Sequence, residues 1–273
     1  MKTRLLTSIV LLITLVPAFL LGGLVLDIVL WILTLGATYE LHKMYRGMSY
    51  QFNSILLLEL LYSSLIFFLF IYYSRGVLEI EYLFIGMLFI LIVTSSLLVF
   101  KEEFKGDNFG ELLVSVFYPA IGFGALAWLR NYGIYSIGFL FIITIMTDVF
   151  AYMVGIKFGK HRLAIKISPK KSIEGSIGGT FFALIFTLAF IFLLDFDKIA
   201  EIHLDLFTSI GLIVFISIVG QVGDLIASKL KRGYGIKDFS NLFPGHGGVM
   251  DRFDSTIFAA MVLLLISKVV ELL

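Results

Sequence analysis

Nine apolar runs dominate this chain, at about 5–21, 24–39, 53–73, 82–100, 112–129, 135–155, 177–194, 207–227 and 255–273. Most are long enough to cross a hydrocarbon layer roughly 30 Å thick. Backbone amides in lipid must find partners within their own segment, and runs of this length do so as helices. The alternation of apolar and polar residues that marks a membrane barrel is missing. Composition agrees: 59% hydrophobic and 15% charged residues, with mean hydropathy +1.01, against about 25% charge in soluble domains. The expected fold is an all-α integral membrane protein with about nine transmembrane helices. The first two runs are short and share Gly22-Gly23, so a re-entrant hairpin stands beside two full crossings. Lys2 and Arg4 ahead of the first run suit a signal peptide, but no A-x-A cleavage motif follows, which favours a first membrane helix.

Loop charge gives an orientation. With the N-terminus inside, 17 of the 21 Lys and Arg residues fall on one face. Among them are Lys43, Arg46, Lys101 and Lys105, six residues in 156–176 and five in 228–254. Arg75, Arg130, Lys198 and Lys268 fall on the other. The N-terminus is therefore expected in the cytoplasm, with both long charged loops on that side of an inner membrane. The acidic loop at 195–205 is expected to be solvated on the opposite side. A net charge of +1 argues against nucleic-acid binding, and the absence of Cys excludes disulfides and thiolate metal sites. The chain reads as one polytopic domain, 1–273, with N-terminal helices in 1–134 and a chemical half in 135–273.

Chemistry concentrates in three places. Asp224 lies one turn before the end of its apolar run, with Ser228 four residues on and on the same helical face. A carboxylate at membrane depth costs roughly 2.5–3.5 kcal/mol on insertion scales, so it needs a partner, a polar cavity or a metal. Asp251, Arg252 and Asp254 re-enter the membrane after the following loop, and Asp251 and Asp254 are spaced to share a helix face. Capping alone would account for either but not for the Asp that ends the preceding run. Asp148 sits within the span 135–155 beside Thr144 and Thr147. The loop 159–176, with Ser168, Lys170, Lys171, Ser172 and Glu174, combines ammonium groups, hydroxyls and flexible backbone suited to phosphate oxygens. Anchoring to anionic lipid would need much the same composition. In Pro244-Gly245-His246-Gly247-Gly248 the glycines allow close approach of a ligand to backbone. His42, His161 and His203 have no such context and are expected at the surface. Gly155/Gly159 and Gly175/Gly179 have the GxxxG spacing of packed membrane helices but border loops, where they are expected to give flexibility. No Walker-type or G-x-G-x-x-G nucleotide motif is present.

The segment from Ser228 to Asp254, SKLKRGYGIKDFSNLFPGHGGVMDRFD, resembles the signature of the phosphatidate cytidylyltransferases (CDP-diacylglycerol synthases). The arrangement S-x-L-K-R, K-D-x-S, PGHGG-x-x-DR-x-D is matched without departure. Upstream, SPKKSIEG at 168–175 resembles the family's SPKKTxEG with Ser172 in place of Thr. Asp148-Val149-Phe150-Ala151-Tyr152 keeps the Asp, Ala and Tyr of the family's D-T-G-A-Y, and Val149 carries no hydroxyl where the family has Thr. The resemblance implies CTP and phosphatidate as substrates, CDP-diacylglycerol and pyrophosphate as products, Mg²⁺ as cofactor, and a dimer in the membrane.

The residues and the resemblance together suggest roles. Asp224 and Asp251 are expected to hold metal, as one of two cations, with Asp148 and Asp254 as nearby carboxylates. Lys170, Lys171, Lys231, Arg232, Lys237 and Arg252 are expected on phosphates. Ser168, Ser172, Glu174, Asp238 and His246 are expected to orient substrate or loop. The nearest alternative is a CTP-using kinase, or a cytidylyltransferase for another lipid phosphate or a polyprenol. A transporter should show inverted repeats and discontinuous helices, and neither is visible in the sequence.

Overall fold

A computed structural model describes residues 2–46 and 54–273, with side chains from Thr7 onward except that of residue 8. Asn53, expected to open the third span, and the side chains of Lys2 and Arg4 lie outside the described residues. Among those described are nine α-helices: α1 Lys2–Leu21, α2 Gly23–Arg46, α3 Ser54–Ser74, α4 Ile80–Phe100, α5 Gly106–Asn131, α6 Ile134–Phe158, α7 Ile173–Leu194, α8 Leu206–Gly233 and α9 Met250–Leu272. Eight, α2 through α9, are long and apolar enough to cross a membrane, whereas the described apolar part of α1, Ile9–Leu21, is shorter. The protein is an all-α, multi-pass membrane protein, as the apolar runs require. Two hairpins add short strands: β1 Arg162–Ala164 with β2 Ser168–Ser172, and β3 Lys198–Ile199 with β4 Ile202–His203.

The chain groups into two units. One comprises Met1–Asn131 with Asp238–Arg252, the other Tyr132–Lys237 with Phe253–Leu273. In the first, α5 lies against both α2 and α3, and almost every residue from Pro119 to Leu129 is buried. Small residues there (Ala120, Gly122, Gly124, Ala125, Ala127) admit large neighbours: Phe70 packs against Gly124, and its ring meets Trp128 edge-on at 5.0 Å. The α1–α2 turn is closed by Arg130, which donates from Nε to the Phe19 carbonyl at 2.6 Å and from Nη2 to that of Leu20 at 2.9 Å. Those carbonyls end α1 and have no intrahelical donor. Gly22 and Gly23 supply the positive φ values of 67° and 57° that the turn requires.

The second unit is organised by the contact of α6 with α7. The glycines expected to loosen loops instead bring these two helices into close contact. A Cβ at Gly175 would lie 2.6 Å from the Ala151 carbonyl oxygen, one at Gly178 2.7 Å from Val154, and one at Gly179 2.5 Å from the Thr147 carbonyl oxygen. The reason is backbone packing without side chains in the way, as in small-xxx-small helix pairs. Close approach then allows side-chain hydrogen bonds across the helices. Ser217 on α8 meets Thr147 on α6 at 2.7 Å and Thr180 on α7 at 2.9 Å, and Gln221 donates to Thr180 at 3.0 Å. The acidic loop is only partly solvated. Asp195, Asp197 and Asp205 are exposed, but Ile199, Ala200 and Ile202 are buried. The amides of Ala200 and Glu201 are satisfied by Ser136 and Ser267.

Substituting Gly175 or Gly179 by Val is expected to destabilise the protein by about 1–3 kcal/mol, because backbone rather than a flexible side chain stands in the way. Gly211→Ala, at a helical position with nothing within 4 Å, is expected to be neutral or slightly stabilising. Thermal unfolding in detergent checks both, and equal effects at the two kinds of site would contradict the packing account.

Candidate active site

In the second unit, α8 carries Ser217, Gln221, Asp224, Ser228 and Lys231 at intervals of four, three, four and three residues. That spacing keeps all five on one stripe of the helix. Asp224 is half-buried, with its carboxylate shared. Oδ1 accepts from Ser228 Oγ at 3.2 Å, and Oδ2 forms an ion pair with Lys171 Nζ. Ser176 on α7 donates to Gln221 one turn earlier on α8. Asp254 on α9 is buried and within electrostatic reach of Asp224, Lys231 and Asp148. Asp148 is exposed and accepts from Ser255 Oγ at 3.2 Å. Three carboxylates and two lysines thus share one polar neighbourhood. Among the described residues, no three His, Asp or Glu groups form a ready-made metal cage.

The basic loop is a hairpin rather than an unstructured tether. Arg162 pairs with Ser172 and Ala164 with Ser168, with an irregularity between. Ser172 caps α7 by accepting from the Gly175 amide at 3.1 Å. Glu174 accepts from His161 Nδ1 at 2.6 Å and from the Lys160 and His161 amides at 3.0 and 3.2 Å. These two side chains close the hairpin onto the helix start, so their evident work is to shape the loop. Pro169 and Lys170 are exposed beside them, and Ser168 is half-buried. Lys237 is exposed, and Arg232, also exposed, donates to the Ile236 carbonyl at 2.9 Å, drawing in the chain after α8.

In the first unit, the segment 238–252 is held by two carboxylates. Asp251 Oδ2 accepts from the amides of Phe239 at 2.8 Å and Gly248 at 2.9 Å. Glu40, on α2, accepts from Ser240 Oγ at 2.6 Å, the Val249 amide at 2.8 Å and the Met250 amide at 2.9 Å. Gly245 and Gly247 have φ of 80° and 84°. His246 is half-buried, and its amide donates to the Phe243 carbonyl at 2.8 Å, while Asp238 and Arg252 are exposed. The glycines of PGHGG therefore do admit close approach, but here to the protein's own carboxylates. A Cβ at Gly247 would lie 2.7 Å from Asp251 Oδ2, and one at Gly248 2.6 Å from Glu40 Oε2.

Glu40 escaped the sequence reading because the second span is expected to end at 39, whereas α2 continues to Arg46. The signal was present: Ala37, Leu41 and Met44 extend the apolar stripe at four- and three-residue steps, and all are buried. The same extension corrects His42, expected at the surface. It is buried, with Nδ1 2.6 Å from Glu59 Oε2 on α3. His161 and His203 are exposed as expected.

Comparison with known proteins adds an independent finding. Residues 2–270 match the model of the cytidylyltransferase family. A phosphatidate cytidylyltransferase of Staphylococcus aureus (strain COL) is 39% identical over 259 residues, covering 94% of this chain and 95% of that protein. The phosphatidate cytidylyltransferases of Staphylococcus haemolyticus and Staphylococcus epidermidis are 36% and 35% identical over 265 residues, with the same coverage.

Ser172→Ala is expected to remove about 1 kcal/mol from the α7 N-terminus. It should appear as faster amide exchange at Gly175 with the helix otherwise intact; unchanged exchange would contradict the capping role.

Proposed function

The chain belongs to the cytidylyltransferase family, and from that premise we propose that it converts CTP and phosphatidate to CDP-diacylglycerol and pyrophosphate. The observation that carries this reading is the ion pair between Lys171 and Asp224. It joins the SPKKS segment to the helix that leads into SKLKR, two separate stretches of the signature.

Balanced chemistry defines what the residues must do. A phosphate oxygen of phosphatidate attacks the α-phosphorus of CTP, and the bond from that phosphorus to the β-bridging oxygen breaks, releasing pyrophosphate. A phosphate monoester is largely ionised at neutral pH, so no general base is needed. The obstacle is repulsion between two anionic reactants, which cationic side chains offset at fixed positions. Lys170, Lys171, Lys231, Arg232, Lys237 and Arg252 are the cations we assign to phosphate oxygens. Lys171 holds Asp224 in the protein alone and would exchange that partner for a phosphate. Ser168, Ser172, Glu174, Asp238 and His246 are assigned to orienting the loops or substrate.

A divalent cation, Mg²⁺ in this reading and one of two ions, would supply charge neutralisation and polarise the phosphoryl group. The donor set suits it. Mg²⁺ normally takes one or two protein carboxylates and leaves its other positions to water and substrate phosphates, so a full protein cage is not required. Asp224 is the ligand we assign first, with Asp148 and Asp254 near it; Asp251 is assigned from its place in the sequence, where the acidic pair re-enters the membrane, and from the resemblance. The cytoplasmic N-terminus, an active face toward the cytoplasm at an inner membrane, and a homodimer complete the proposal.

Purified protein in detergent, given CTP and phosphatidate, is expected to release pyrophosphate and form CDP-diacylglycerol only with a divalent cation present. Asp224→Ala should lower turnover on the order of 100–1,000-fold while leaving membrane insertion unchanged. Near-normal turnover of that variant would remove the metal assignment, and product with only a different lipid acceptor would replace the substrate. Orientation has its own test, because the chain has no Cys. A cysteine at Lys160 should react with an impermeant maleimide from the cytoplasmic side and one at Lys198 from the other; the reverse pattern would invert the topology.

A further inference from the structure

Glu40 stands outside every segment that the signature covers, yet it is among the most completely engaged carboxylates in the first unit. Its relative exposure is 1%. Three donors converge on it, and all belong to one stretch of chain some 200 residues later: Ser240 Oγ, the Val249 amide and the Met250 amide. Two of these are amides at the start of α9, where the first N–H groups of a helix have no intrahelical acceptor. A carboxylate there satisfies them and complements the helix dipole. Gly248 lies directly beneath the carboxylate, where a methyl group would meet Cδ at 2.5 Å. Val249 also packs over Gly36, one turn earlier on α2, at 3.0 Å from where its Cβ would be.

We infer that Glu40 is a positioning residue for the PGHGG loop, and that turnover depends on it through the placement of His246, Asp251 and Arg252. The inference rests on the family reading for its chemistry, but the anchoring itself does not. A simple helix cap would be supplied from within the loop. Asp251 already serves the loop internally by bonding Phe239 and Gly248. The acceptor from α2 adds a second fixed point, so the loop is tied both to itself and to a membrane helix. Misplacing groups around a reaction by about 1 Å costs on the order of 100-fold in rate, which is the scale at which such an anchor matters. Gly248 is the other half of the device, because any side chain there displaces the carboxylate.

Five proteins test this: native, Glu40→Gln, Glu40→Ala, Gly248→Ala, and the double variant Glu40→Ala/Gly248→Ala, for which Glu40→Ala is the reference. Glutamine keeps the size and one acceptor but sets an NH2 against backbone N–H donors, so it should fold. Its expected signature is amide exchange in 239–250 faster by about 10-fold or more, with peptides from α7 and α8 unchanged and kcat lowered. Gly248→Ala should reproduce the Glu40→Gln signature, whereas adding it to Glu40→Ala should cause no further loss, because the methyl then occupies vacated space. Native exchange in Glu40→Gln, exchange raised across the whole protein, or strictly additive losses would overturn the inference. If the native protein itself makes no CDP-diacylglycerol, the proposed reaction fails, while the exchange and additivity measurements still decide the anchoring.

Discussion

Each carboxylate placed among apolar helices here has to be given donors, and much of the polar structure follows from how that is done. A carboxylate left unpartnered at low dielectric would carry a penalty of several kcal/mol or take up a proton. Glu40 receives two amides and a hydroxyl, Asp251 two amides, and Asp224 an ammonium and a hydroxyl. Asp27 and Glu59 receive Arg75 and His42 at 2.5 and 2.6 Å. The donors differ with the task. Backbone amides are fixed by the fold and cannot leave, so a carboxylate that takes them becomes part of the scaffold. A lysine on a flexible stem can leave, so Asp224 keeps a partner that is exchangeable.

Small residues do the complementary work in the second unit. Lipid supplies little hydrophobic drive for helices to associate, so close packing and interhelical hydrogen bonds carry the assembly. Gly175 and Gly179 let α7 approach the backbone of α6. Only at that separation do Thr147, Thr180, Ser217, Ser176 and Gln221 bond across three helices. The same stripe of α8 continues to Asp224, Ser228 and Lys231. One helix face is therefore both the polar seam of the unit and the support for its candidate chemistry. Rigid placement on helices rather than loops is the condition for holding charged groups within the tolerance that phosphoryl chemistry demands.

How much of this was legible in the sequence depends on the range of the interaction. Apolar run length gave the helices, and the spacing of Asp224 and Ser228 gave their shared face, because both are local. The α8 stripe is equally legible as steps of four and three residues from Ser217 to Lys231. The glycines are equally visible in the sequence, but their role is not. Nothing local distinguishes a glycine that frees a loop from one that admits a neighbouring helix, since the difference lies in what stands opposite. The hydroxyl of Ser172 and the carboxylate of Glu174 suit phosphate sites, but Ser172 accepts from the Gly175 amide and Glu174 from the His161 ring and the Lys160 and His161 amides.

Glu40 marks the limit of the reading. Its donors lie some 200 residues away in sequence, so no pattern around Tyr39-Glu40-Leu41-His42 names them. What the sequence does contain is an apolar stripe, Ala37, Leu41 and Met44, passing through a charged patch. A helix can continue past charged residues when the buried ones meet partners, as Glu40 and His42 do within α2. A buried acid near a helix end is therefore better read as a demand for donors than as the water's edge. In this chain the demand is met by the most strongly patterned loop in the sequence. One of that loop's glycines, Gly248, answers to a residue outside the motif, so PGHGG cannot be interpreted apart from the helix that holds it.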